Sequence, residues 1–150
     1  MMSGNLVGEY LGRQLWVSSS FDAVDELSSG SLSGAMVLIW LSQESLLKTL
    51  LPKLSILVAA NPLGIFFSGS SAERAFDFLL WSLQSILPTD QIMTRWSEDT
   101  LDECIAEFIQ TVWPSEDRMD SWTTYWLVGD SRISLAAMTF LEKSGARDGL

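Results

Sequence analysis

The stretch FFSGSSAERAFDFLLWSL, residues 66–83, joins a short apolar strand through a Gly-Ser-Ser turn to an amphipathic helix. An apolar run that precedes it, AMVLIWL at residues 35–41, is typical of a strand that is covered on both faces. Strand and helix patterns alternate from residue 35 onward, and this alternation favours parallel strands joined by helical crossovers. The sequence therefore predicts an α/β fold: a three-layer Rossmann-like sandwich with a mainly parallel sheet of about five strands and helices on both faces.

The apolar periodicity also predicts the individual elements. A helical period continues through Pro52, which would lie opposite the apolar stripe, so residues 46–60 are expected to form one kinked helix. We expect a single domain over residues 1–150, in which residues 1–12 and 144–150 are loosely ordered. Strands are predicted at residues 13–18 (a candidate edge strand), 35–41, 64–68, 91–96 and 122–128, and further helices at residues 71–87, 99–113 and 132–143.

The charge balance limits the classes of partner. The 150 residues include nineteen Asp and Glu, nine Lys and Arg and no His, which gives a formal net charge of −10. Such a field repels nucleic acid and anionic lipid and attracts basic proteins. The alternative is that the charge only keeps a chain with 47% apolar residues in solution. We expect no nucleic-acid partner and no membrane partner.

Several features indicate a cytoplasmic protein. Cys104 is the only cysteine, so no disulfide can form within the chain. The N-terminal residues lack the basic and continuous apolar regions of a signal peptide. The most apolar stretch, residues 54–67, is shorter than the roughly 20 residues that cross a bilayer.

The Gly-Ser-Ser turn has two interpretations. Its backbone N–H groups and the positive end of the next helix dipole are suited to an anion, but the turn lacks the glycine and lysine spacing of nucleotide motifs. Ser70 and Glu73 have the spacing of a capping box, which explains the turn without a ligand. A small molecule, if one binds, is expected beyond the carboxyl ends of the strands. The candidate anion-binding residues are Gly69, Ser70, Ser71, Arg95 and Ser131, with Ser42 and Asp130 at the same edge.

The outward side of the helix at residues 71–87 carries two large aromatic residues. At about 100° per residue, Phe78 and Trp81 point away from the main apolar arc and lie beside Arg74. Either another part of the chain covers the two rings or they meet a partner, which includes a second copy of this chain. Because Trp and Arg recur at the energetic centres of interfaces, these three residues are candidates for partner binding.

A row of acidic residues marks the helix at residues 99–113. Asp99, Glu103 and Glu107 recur every four residues and therefore share one side of the helix. The helix dipole and a capping box between Thr100 and Glu103 explain the first two acids but not the third. The row is a candidate docking face for a basic protein, with a solvated acidic face as the alternative.

The sequence assigns no catalytic residue. Without His, the chain lacks the usual base for a Ser or Cys nucleophile and the imidazole ligands of many metal sites. Cys104 lies at the margin of an apolar helix face and is expected to be a core residue. Glu116, Asp117 and Asp120 do not follow the spacing of an EF-hand loop. We expect no metal and no cofactor.

One segment resembles a known family. The segment IMTRWSEDTLDECIAEFIQTVWPSEDRMDSWTTYWLVGD, residues 92–130, covers about a quarter of the chain. The matching positions are Met93, Thr94, Trp96, Leu101, Glu103, Pro114, Val128 and Gly129. They are similar to the C-terminal half of a family of small bacterial proteins that is defined only as a domain of unknown function. The resemblance implies a bacterial α/β domain and no activity, and a histidine that family members often carry is replaced here by Ser97.

These observations support two hypotheses about function. The first is an acidic, non-catalytic bacterial module for protein interaction, of a kind that would suit an immunity or defence-accessory role. The alternative is a protein that binds a small anion or nucleotide, or an enzyme, with its site in the crevice at the carboxyl ends of the strands.

Overall fold

The computed structural model describes residues 4–82 and 92–148. Six strands within them form one sheet: β1 (Asn5–Tyr10), β2 (Arg13–Ser18), β3 (Ala35–Leu41), β4 (Gly64–Gly69), β5 (Met93–Ser97) and β6 (Thr124–Val128). The α-helices are α1 (Ser45–Leu50), α2 (Leu54–Ala59), α3 (Ala72–Ser82), α4 (Leu101–Thr111) and α5 (Ile133–Asp148). Three 3₁₀ helices among the described residues span Phe21–Glu26, Leu51–Lys53 and Glu116–Ser121.

The sheet confirms the predicted α/β fold with mainly parallel strands. Its order is β1-β2-β6-β3-β4-β5, in which β1 is antiparallel to β2 and every other pair is parallel. The chain leaves β3 toward β4 and β5 and then returns to form β6 on the other side of β3. This reversal creates a switch point between β3 and β6, a place where ligands often bind in such sheets.

Two predictions about the N-terminal region are wrong. Residues 1–12 were expected to be loosely ordered, but residues 5–10 form β1, and β2 is therefore an internal strand instead of an edge strand. The register of β1 against β2 shifts between Leu6 and Gly8. A bulge of this kind interrupts the alternation of side chains, which is the signal that identifies a strand in the sequence.

Apolar side chains fill both faces of the sheet. All seven residues of β3 are buried, and successive side chains of a strand point to opposite faces. Val37 and Ile39 belong to a cluster with buried residues of α1, α2 and α3, whereas Met36 and Leu38 belong to a second cluster with α4 and α5. The continuous apolar run is explained by these contacts on both faces, as expected for a Rossmann-like sandwich.

The helices follow their predictions with local differences. The predicted helix of residues 46–60 is interrupted at Pro52, which lies exposed in the 3₁₀ helix that separates α1 from α2. The last helix, α5, extends to Asp148, beyond its predicted end at residue 143. Strand β6 begins two residues later than predicted because the preceding 3₁₀ helix is closed by the N–H of Trp122, which donates to the carbonyl of Met119. The predicted end of α3 at residues 83–87 and the predicted start of β5 at residue 91 lie outside the described residues.

Candidate functional site

The outer side of α3 exposes a tryptophan. Trp81 is 78% exposed, whereas Phe78 is half-buried and packs against the cluster beneath α3. The prediction that Phe78 points away from the apolar arc is therefore wrong in part, because its ring contacts the buried cluster. Arg74 is exposed and forms an ion pair with Glu44, which precedes α1. The structure thus leaves Trp81 as the main aromatic surface of this helix.

Two carboxylates accompany Trp81 on α3. Glu73, Asp77 and Trp81 are separated by four residues each, and all three are exposed. Residues at this spacing are neighbours on the surface of a helix, so we name these three residues the α3 stripe. Sequence reasoning concentrated on the apolar arc and missed the two acids, although their spacing of four from Trp81 was visible.

The predicted helix of residues 99–113 spans only Leu101–Thr111, so Asp99 precedes α4, and only Glu103 and Glu107 of the acidic row lie on it. The hydroxyl of Thr100 accepts a hydrogen bond from the N–H of Glu103 at 3.4 Å and donates to its carboxylate at 2.7 Å, so the predicted cap of α4 forms. The carboxylate of Glu107 accepts a hydrogen bond from the guanidinium of Arg95 at 2.9 Å. Glu103 and Glu107 therefore each have a hydrogen-bond partner within the chain.

Glu107 also has a perturbed pKa. Burial and a hydrogen bond with the carboxyl group of Asp99 raise the pKa of Glu107, and the nearby Arg95 guanidinium opposes this effect without reversing it. The structure therefore brings Asp99, Glu107 and Arg95 together, although the sequence assigned Arg95 to a different site. The charge of the row is therefore partly neutralised within the chain.

The carboxyl edge of the sheet assembles only part of the predicted anion site. The turn folds back on β3, because the N–H of Ser70 donates to the carbonyl of Leu41 at 2.8 Å. Gly69 and Ser71 flank this contact with φ values of +94° and +66°. Arg95 does not join them, since it lies within β5 in register with Phe66 and pairs with Glu107.

A carboxylate lies at the switch point itself. Asp130 follows β6 and accepts hydrogen bonds from the N–H of Arg132 at 2.9 Å and from its guanidinium at 3.2 Å. Burial alone would raise the pKa of Asp130, but its hydrogen bonds lower the pKa overall. Ser131, the neighbouring candidate, is exposed beside this negative charge. A fixed carboxylate at this point disfavours a second anion.

The side chains that could support chemistry are few. Cys104 is fully buried, which confirms that it is a core residue, and its thiol donates to the carbonyl of Leu101 at 3.2 Å. Burial raises the pKa of Cys104 to about 12, so the thiol stays protonated near neutral pH and is a poor nucleophile. Within residues 4–82 and 92–148, no group of three or more Cys, Asp and Glu residues could hold a metal ion.

A polar cavity lies at the opposite edge of the sheet, at the amino ends of β3 and β6. We name it the amino-end cavity. Its volume is about 510 Å³, and the side chains that give it its polar character are Ser31, Ser33, Arg118, Ser121, Thr123 and Thr124. No sequence-based prediction places a site in the segment before β3. The sequence does show hydroxyl residues directly before two predicted strands. Only the tertiary structure shows that these two strands are neighbours in the sheet.

Comparison of the chain with protein-family models, with curated proteins and with solved structures finds no match. In the part of the chain that the structure describes, no helix combines the length and the apolar character needed to cross a membrane. The function must therefore be inferred from the chemistry of the residues themselves.

Proposed function

We propose that this chain is a non-catalytic interaction module of the bacterial cytoplasm that binds a basic protein through the α3 stripe. The observation that carries the proposal is the exposure of Trp81, which leaves 78% of a large aromatic residue in contact with water. A partner with a pocket for the indole would gain apolar contact area there, and tryptophan is enriched among the residues that dominate binding energy.

The charges around Trp81 support a basic partner. Glu73 and Asp77 carry negative charge on the same side of α3, within a chain of net charge −10. Opposite charge on a partner would speed encounter and fix its orientation. A second copy of the chain would bring the same two carboxylates against one another, so like charge opposes a symmetric dimer through this surface. We therefore favour a different protein over a homo-oligomer.

The remaining candidate residues have supporting roles in this proposal. Arg74, which is paired with Glu44, and half-buried Phe78 each lie one residue along α3 from an acid of the stripe. The row of Asp99, Glu103 and Glu107 contributes to the long-range field that attracts a basic protein. Direct contacts from the row are less favourable, because a partner would compete with the hydrogen bonds that Glu103 and Glu107 already make.

The chemistry of the chain favours binding over catalysis. The sequence has no histidine, and the thiol of Cys104 is buried with a pKa of about 12. A small acidic module that binds a basic protein would suit an immunity or defence-accessory role, in which complex formation by itself blocks the partner. Acidity and the exposed indole are the features that support this part of the proposal.

The test measures how single substitutions change the affinity for a partner. A protein retained from a lysate of the source cells by the wild-type chain is purified, and its dissociation constant is measured for each variant. Trp81→Ser is expected to weaken binding by at least about 30-fold, the effect of losing an interface residue worth about 2 kcal/mol. Asp77→Asn should slow association and reduce its dependence on ionic strength.

Leu135 offers a matched control on another helix. It is 70% exposed on α5, so Leu135→Ser removes a comparable apolar surface outside the α3 stripe. This variant should bind the partner with an affinity within about threefold of the wild type, and both variants should unfold within about 0.5 kcal/mol of it. Equal losses of affinity for the two variants would contradict the proposal. The proposal would also be contradicted if Trp81→Ser retained every protein that the wild-type chain retains. If the wild-type chain forms a dimer that Trp81→Ser abolishes, the partner at this surface is a second copy of the chain and not a basic protein.

A further inference from the structure

The amino-end cavity has the dimensions of a small-molecule site. Its volume of about 510 Å³ falls within the roughly 300–1,000 Å³ that such sites span. Its hydroxyl groups come from two separate segments, with Ser31 and Ser33 before β3 and Ser121 and Thr123 before β6. The parallel pairing of β3 with β6 brings these segments together.

The position of these two segments is fixed by backbone contacts. The carbonyl of Gly34 accepts hydrogen bonds from the N–H groups of Thr123 at 2.9 Å and Thr124 at 3.1 Å. A Cβ atom at position 34 would lie only 2.8 Å from the hydroxyl oxygen of Thr123, so glycine permits this close approach. A cavity that is formed in advance requires less ordering when a ligand binds.

Arg118 provides the charge of the lining. Its guanidinium donates to the carbonyls of Pro62 at 3.3 Å and Asn61 at 3.4 Å, and these contacts orient the side chain at the cavity. The described lining contains no carboxylate. A planar guanidinium that is held in place is well suited to a carboxylate or phosphate group, which it binds through two parallel hydrogen bonds.

Ser31 gives an independent indication of a missing partner. Its hydroxyl oxygen is buried but has no hydrogen-bond partner among the described residues. Most buried polar atoms in proteins are paired, and leaving one unpaired costs about 1–3 kcal/mol. Rotation of the Ser31 side chain about χ1 would bring this shielded hydroxyl to a hydroxyl group of a ligand in the cavity.

We infer that the amino-end cavity binds a small molecule that combines one oxyanion group with several hydroxyl groups, as sugar acids and sugar phosphates do. Arg118 binds the oxyanion, and the serine and threonine hydroxyls, which both donate and accept, bind the hydroxyl groups of the ligand. The acids Asp117 and Asp120 lie close to Arg118 in the chain and outside the lining. Their charge and the net charge of −10 penalise a dianion more than a monoanion, so a sugar acid should bind more tightly than a sugar phosphate.

The experiment titrates ¹⁵N-labelled protein with gluconate, ribose 5-phosphate or glucose at constant ionic strength. Gluconate should shift the amide resonances of residues 31–35 and 121–124 with a dissociation constant below about 1 mM, and glucose should bind at least tenfold more weakly. The amides of Ser42, Ser70 and Ser131, at the opposite edge of the sheet, should not move. Tighter binding of ribose 5-phosphate would support the site and assign the ligand to the phosphate class.

Three variants separate recognition from folding. Ser31→Ala should weaken gluconate binding by about three- to tenfold, and Arg118→Lys, which keeps the charge but not the paired donors, should weaken it by at least about tenfold. Ser131→Ala at the opposite edge is the matched control and should bind normally. Equal affinity for gluconate and glucose, shifts confined to the opposite edge, or no shift up to about 20 mM gluconate would overturn the inference. If the Arg118 variant fails to fold, an unchanged affinity of folded Ser31→Ala would overturn it equally.

Discussion

The carboxyl group of Glu107 lies between a guanidinium and a second carboxyl group. Arg95 donates to it at 2.9 Å, while burial and Asp99 together raise its pKa. The folded protein therefore holds this proton more tightly than the unfolded chain does. The stabilisation that results is fully present below the unfolded-state pKa and is lost as the pH rises through the higher folded-state pKa.

Asp99→Asn is expected to lower the pKa of Glu107, because it removes the carboxyl group that raises it. The measurement is a pH titration of the Glu107 carboxyl carbon by NMR. At pH 7 the free energy of unfolding should increase by a few tenths of a kcal/mol, since Glu107 then ionises with less repulsion. Asp102→Asn, which changes an exposed acid in the first turn of α4, is the control and should leave the Glu107 titration in place. An unchanged titration in Asp99→Asn would mean that burial alone sets the pKa.

At the scale of elements, the turn between β4 and α3 is determined by how closely it packs on β3. Gly69 has a φ of +94°, and a Cβ atom there would lie 2.3 Å from the carbonyl oxygen of Leu41 and 2.9 Å from the ring of Trp40. The N–H of Ser70 donates to the same carbonyl. The need for glycine at this turn is therefore explained by the approach of two strand ends, without a bound anion.

Gly69→Ala is expected to destabilise the protein more than the same substitution at Gly12. Gly12 also has a positive φ, of +80°, but a Cβ atom there would meet no other atom within 4 Å. Gly12→Ala should therefore lower the free energy of unfolding only by the backbone strain of about 1–2 kcal/mol. Gly69→Ala adds a clash with backbone atoms and should cost at least about 2 kcal/mol more. Urea unfolding of both variants measures the difference. Equal costs would show that the turn can move away from β3.

At the scale of the whole molecule, the negative charge opposes compaction. A net charge of −10 on 150 residues creates self-repulsion, which dissolved salt screens over a Debye length that falls from about 30 Å at 0.01 M to about 8 Å at 0.15 M. The exposed acids of the 3₁₀ helix Glu116–Ser121 are part of this charge. The same field that would attract the proposed basic partner therefore lowers the stability of the free chain.

Raising NaCl from about 10 mM to about 150 mM is expected to raise the Tm by about 2–5 °C, because screening weakens this repulsion. Differential scanning calorimetry measures the change. A variant in which Glu116, Asp117 and Asp120 become amides should have a higher Tm than the wild type in low salt and a smaller response to added salt. A Tm that does not respond to salt would indicate that the acids are already neutralised by contacts within the chain.

Short-range patterns in the sequence were sufficient for most of the elements. The apolar run of residues 35–41 predicts β3 with its observed bounds, and the spacing of Thr100 and Glu103 predicts the cap of α4. The exposure of Trp81 also follows from helical periodicity. Each of these features depends on residues within about one or two turns of the chain, so the local sequence contains the necessary information.

The tertiary structure alone decided which distant segments meet. It places β1 at the edge of the sheet, pairs Arg95 with Glu107 and away from the Gly-Ser-Ser turn, and brings Phe78 into contact with the core. It also unites Ser31 and Arg118, far apart in the chain, around one cavity. Strand order and side-chain packing depend on how much apolar surface the whole chain buries on both faces of the sheet. The periodicity of a single segment shows which of its side chains are buried, but it contains no information about which other segment will lie beside it.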